Sequence, residues 1–125
     1  MEKFKEKLIG EINKELDFYR AFNVDSNAFF YKNKLVDIIN GLNKVWNIVY
    51  NFKVDEVAFA ESFVQYVKAK IEIEKVDVDG YMMSDDLGMR QDGKWIMKGL
   101  NIGESCVDEV LYMLVHNRLD KYCEV

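Results

Sequence analysis

The sequence predicts a mainly helical α+β fold, on three observations. Apolar residues recur at three- and four-residue spacing up to about residue 72, Asp92-Gly93 stands between short apolar runs as a hairpin dipeptide, and a capping serine opens an apolar segment near the C-terminus. The expected architecture is three N-terminal helical segments, a β-hairpin around Asp92-Gly93 and a C-terminal core helix, all within one domain spanning 1–125.

Residues 2–22 carry Phe4, Leu8, Ile12, Leu16 and Tyr19 at helical intervals with charges between them. This helix is expected to end at Asn23-Val24-Asp25-Ser26-Asn27, a turn by composition. In residues 29–52, Tyr31, Leu35, Ile38, Leu42, Val45, Val49 and Phe52 form a seam of alternating four- and three-residue steps. Asn33, Asp37, Asn40, Lys44, Asn47 and Asn51 repeat that rhythm two residues later, about 200° around a helix. A strand reading competes, because Trp46, Ile48, Tyr50 and Phe52 alternate and Asn40-Gly41 can form a turn. The matched stripes decide for helix.

The third segment is ambiguous. Asp55 suits an N-cap, and Val57, Ala60, Val64, Val67 and Ile71 keep helical spacing, yet Val67 to Glu74 alternates as an amphipathic strand does. The reading is a helix over 55–72 followed by an extended stretch to 79. Between residues 80 and 103 lie five of the seven glycines and four of the six methionines. A two-residue loop at Asp92-Gly93 would pair Gln91 with Lys94, Arg90 with Trp95 and Met89 with Ile96. Ser105 as N-cap, with Asp108 three residues on, then opens a helix through Val107, Val110, Leu111 and Leu114 to about Lys121.

Charge and composition narrow the function. The net charge is −5, with nine basic and seven acidic residues in 1–53 against eight and fifteen in 54–125. An acidic second half and three arginines supply phosphate contacts poorly, so nucleic acid is an improbable partner. The longest apolar run, Val110 to Val115, is far short of the roughly 20 residues a bilayer span needs, and the N-terminus is charged. A cytoplasmic protein without membrane contact is expected. No proline, ten asparagines and fourteen lysines suggest an AT-rich genome, that of a low-GC bacterium or its phage.

No catalytic, metal or cofactor motif stands out. His116 is the single histidine, which rules out clusters needing two. Cys106 and Cys123 on one helix would lie about 25 Å apart, too far for a disulfide. Asp85-Asp86 could hold a hard cation, but its spacing matches no calcium loop, and an N-cap or solvated role is the plainer one. The glycines match no phosphate loop. The binding candidates are therefore Arg90, Trp95, Met97 and Lys98 with Asp85 and Asp86: an arginine stacked on an indole across a hairpin, and an adaptable methionine on the same face.

The expected function is a non-enzymatic protein-interaction module without a cofactor, of the kind represented by small inhibitors, immunity proteins and counter-defence proteins. One alternative is a small-molecule or nucleotide binder with a pocket walled by residues 80–103. Another is a winged-helix-like transcription regulator using 56–72 as reader and the hairpin as wing. A homodimer through the Asn stripe is compatible with the same sequence.

Overall fold

The structure, a computed structural model, describes residues 2–25, 29–53 and 60–116, with side chains described outside 22–33. Among the described residues there are four helices and no strand: α1 (Glu2–Asp25), α2 (Phe29–Tyr50), α3 (Ala60–Met82) and α4 (Leu87–Val115). The fold is all-α, and the expected α+β class with its hairpin is overturned.

The first two helices form where the apolar periodicity placed them. Phe4, Leu8, Ile12 and Leu16 of α1 are buried, as are Ile38, Leu42, Val45 and Val49 of α2 and Phe52 just beyond it. Leu35 is half-buried, and Tyr31 lies outside the described side chains. Residues 23–25, expected in a turn, still belong to α1. The remainder of that turn and the Asp55 cap lie outside the described residues. Lys5 closes the end of α2, its ammonium donating to the carbonyls of Tyr50 at 2.7 Å and Phe52 at 2.8 Å. It thereby satisfies acceptors that a helix C-terminus leaves over and sets α1 antiparallel to α2.

Helix α3 does not break after residue 72. It buries Phe63, Val64, Val67, Ile71 and Val78 on one face and runs on to Met82, so the expected extended stretch is helical. The alternation of Val67 to Glu74 has another cause: α3 carries apolar residues on two faces, and Ala69, Ile73 and Val76 lie exposed opposite the buried set. Two helical stripes about 200° apart mimic a period of two.

The hairpin is replaced by the first half of α4. The Asp86 carboxylate accepts the Met89 amide at 3.1 Å, capping a 29-residue helix that starts well before Ser105. Ser105 is consequently mid-helix, and Asp92-Gly93 makes no turn. Glycine permits a tight turn, but it also permits close helix contact, and contact is its use here. A Cβ on Gly99 would stand 2.9 Å from Gly41 Cα, and one on Gly103 2.6 Å from a Val45 methyl. A Cβ on Gly93 would stand 2.9 Å from Met82 Cγ. With Gly41 against Gly99 and Val45 against Gly103, α2 and α4 run parallel and nearly touch backbone to backbone.

That crossing organises the bundle. The α2–α4 interface is the most extensive, with α1 packed chiefly on α2 and α3 chiefly on α4. Lys75–Glu104 at 3.0 Å and Lys68–Asp108 at 2.7 Å place α3 antiparallel to α4. Phe4 of α1 and Phe52 both meet the Phe63 ring edge-on, at 5.7 and 4.4 Å, and close one end of the core. As a flanking helix, α3 is covered on one side only. With no hairpin there is no wing, and the winged-helix reading falls with it.

Candidate functional site

The sequence-predicted binding residues all lie on or just before α4, and the helix separates them. Arg90 and Trp95 are about 140° apart around it, so the expected clamp does not form. Three lysines surround the half-buried Trp95 instead: Lys34 Nζ lies 3.8 Å from an indole ring centre, Lys94 Nζ 5.2 Å and Lys98 Nζ 5.6 Å. Met97 points about 200° away from Trp95. Met97 and Lys98 do meet, in a groove of about 350 Å³ that Lys94 and Ile102 also line, with Met82 from the end of α3. Arg90 and Asp85 do not line it and are exposed. Asp86 serves as the α4 cap, its own amide donating to Ser84 Oγ at 3.1 Å.

The Asn-bearing face of α2 is divided. Asn40 is exposed, whereas Lys44, Asn47 and Asn51 line a second groove of about 400 Å³ with Tyr66, Lys70 and Glu74 of α3. Lys44 and Glu74 pair across it at 3.3 Å. Much of that stripe faces α3 obliquely, so it is a seam between helices more than an open face.

Titratable groups offer little reactive chemistry. Burial pushes the Cys106 thiol up to about 12, aided by nearby Glu15, Glu109 and Glu11, so the nucleophilic thiolate is suppressed. Cys123 lies outside the described residues. His116 caps the end of α4, with Nδ1 2.9 Å from the Tyr112 carbonyl and its ring stacked on Tyr112 at 3.9 Å. Asp37 of α2 is the exception, its carboxyl held up at about 7 by partial burial and by a hydrogen bond to the Asp92 carboxyl of α4. Among the described residues no three His, Cys, Asp or Glu side chains are grouped to hold a metal ion. No described helix is long and apolar enough to cross a membrane.

Sequence reasoning missed the outer side of α3. On α3, Ile73 is 57% exposed and Val76 67%; Met83 in the turn that follows is 86% exposed, and Tyr81 and Met82 at the end of α3 and Leu87 and Met89 at the start of α4 are exposed as well. The signal was the misleading alternation itself, since apolar residues on the second face of a helix need a reason beyond the monomer core. No family model matches the chain, and no curated protein or solved structure is significantly similar to it.

Proposed function

We propose that this protein is a non-catalytic interaction module that acts by occupying the surface of another protein, in the manner of small inhibitors, immunity proteins and counter-defence proteins. One observation carries the reading: large apolar side chains stand uncovered in succession along α3 and through the α3–α4 turn, with Ile73, Val76, Met83 and Leu87 each more than half exposed. Exposed apolar side chains clustered along one stretch of surface are costly in water and mark sites where another macromolecule docks. The thiol of Cys106 is buried and His116 caps a helix end, so neither supplies an activated nucleophile, which favours binding over nucleophilic catalysis.

The test is site-specific photocrosslinking in cells of the source organism. A photoreactive residue at position 76 or 83 is expected to give one discrete protein adduct, while the same group at exposed Glu109 gives none. Absence of any adduct at 76 and 83 would sink the module reading.

The Met82–Met97 groove supports a second reading, a binder of small anionic amphiphiles with an apolar floor and the ammonium groups of Lys94 and Lys98 at the rim. Anilinonaphthalene sulfonate is the probe. Saturable one-to-one binding that Lys94→Ala with Lys98→Ala weakens tenfold would favour this reading, and non-saturable binding would remove it.

A further inference from the structure

The exposed side of α3 has a regular pattern. Tyr66, Ala69, Ile73, Val76 and Gly80 of α3 and Met83 just past its end follow one another at steps of three, four, three, four and three, and all are exposed. That is the spacing of a heptad seam, the pattern by which one helix receives another at a shallow crossing angle. Tyr66, at one end of the row, also meets the Phe52 ring and borders the α2–α3 groove. From Tyr66 to the end of α3 at Met82 the seam covers about 24 Å of helix, between four and five turns. Small residues stand beside larger ones along it, as knobs and holes require. As at Gly10 of α1, a Cβ on Gly80 would meet nothing within 4 Å, so no neighbour inside the chain accounts for a glycine in this helix. The glycines at 41, 99 and 103 are each explained by a packed neighbour.

Charge selects the occupant. Residues 72–92 contain seven acidic and two basic side chains, which equals the entire net charge of the protein, and the rest of the chain is balanced. The cations near α3 are mostly committed: Lys68 pairs with Asp108, Lys75 with Glu104 and Glu72, and Lys44 of α2 with Glu74, while Lys70 lies over the Tyr66 ring. Among the described residues no ion pair involves Asp77 or Asp79, and both carboxylates flank the exposed seam. A second copy of this chain would bring two such acidic segments together, and nucleic acid or an anionic membrane would be repelled by them.

We infer that the outer face of α3 is a docking seam for a cationic amphipathic helix of a partner protein, about four to five turns long, with apolar residues at heptad spacing and Lys or Arg on their flanks. The apolar stripe supplies affinity, and the flanking carboxylates select against acidic or neutral helices. This rests on the interaction-module reading and specifies its partner.

The test uses the full chain and three labelled 18-residue peptides: a helix with Leu at the heptad positions and Lys on the flanks, the same helix with Glu in place of Lys, and a scramble of the Lys peptide. Fluorescence anisotropy is expected to show saturable binding of the Lys helix, at least tenfold weaker binding of the scramble and none of the Glu helix. Ile73→Gln with Val76→Gln should lose at least tenfold in affinity while keeping the circular dichroism spectrum and Tm. Asp77→Asn with Asp79→Asn should lose several-fold and flatten the salt dependence. Equal binding of the scramble, binding of the Glu helix, no binding at all, or indifference to Ile73→Gln with Val76→Gln would each overturn the inference. So would a dimer in sedimentation that Val76→Gln dissolves. The outcomes separate from those of the crosslinking test: an adduct at 76 to a partner segment that is not cationic leaves the module reading standing and ends this one.

Discussion

The α2–α4 crossing and the outer side of α3 use the same residues to opposite ends. At the crossing, Gly41, Gly99 and Gly103 bring two backbones so close that no methyl group fits. On α3, Gly80 stands in open space among uncovered Ile, Val and Met side chains. Glycine in a helix interior costs about 1 kcal/mol relative to alanine wherever it occurs. At the crossing that cost is offset within the chain by close packing. On α3 nothing inside the chain offsets it, so surface that is wasteful in isolation makes sense as surface to be covered.

Four substitutions and a pH titration would break or sharpen this contrast. Leu42→Ala, in the fully buried seam of α2, should cost about 2–5 kcal/mol in denaturant unfolding through lost burial and a cavity. A harmless outcome would mean that α2 does not form the centre of the core. Gly99→Ala should cost about 1–3 kcal/mol despite the gain in helix propensity, because the new methyl must push apart the backbones at Gly41 and Ile38. The same change at residue 80 should have the opposite sign, with Gly80→Ala raising stability by about 0.5–1 kcal/mol. Equal signs at 80 and 99 would erase the distinction between the two regions. Asn47→Ala, at the solvent-exposed lining of the α2–α3 groove, should change stability by no more than about 0.5 kcal/mol.

The pH titration tests the crossing from its polar side. The Asp37 carboxyl holds its proton to about 7 in the folded protein, against an ordinary value of 3.8. The folded state therefore binds this proton more tightly than the unfolded state. Its contribution to stability is full below about pH 4 and is lost as pH rises through about 7. Tm of the native protein should fall over that interval relative to Asp37→Asn, whose amide does not titrate. A constant gap between the two would show that Asp37 and Asp92 do not share a proton.

The pattern of what the sequence revealed follows the same division. Helices α1 and α2 were legible because each has one dominant apolar stripe, with Phe4 to Leu16 and Ile38 to Val49 facing inward, and only scattered apolar residues such as Phe18, Val36 and Tyr50 exposed elsewhere. In α3, Ile71 faces the core while Ile73 faces out, and local alternation cannot tell two helical faces from the two sides of a strand. In α4 the difficulty was glycine, which marks a turn or a close approach with equal right. What decides between them is Gly41, far upstream in sequence. Of the expected binding residues, Met97 and Lys98 share a groove because they are neighbours on α4, whereas Arg90 and Trp95 were joined only by a strand pairing that does not exist. The seam on α3 was present in the sequence at regular spacing, but it could be recognised as unoccupied only once the opposite face was seen to be buried.

The buried thiol gives the protein an internal clock. Cys106 sits in the part of α4 packed among the core side chains, 6% exposed and too weakly acidic to react in place. An alkylating reagent can reach it only when that region opens, so in a Cys123→Ser background the labelling rate counts openings of the bundle centre. A ligand on the outer side of α3 that steadies the whole bundle would slow the count, while one that merely adheres would leave it unchanged. One sulfur atom, remote from the surface in question, thus distinguishes binding that is felt throughout the fold from binding that is only local.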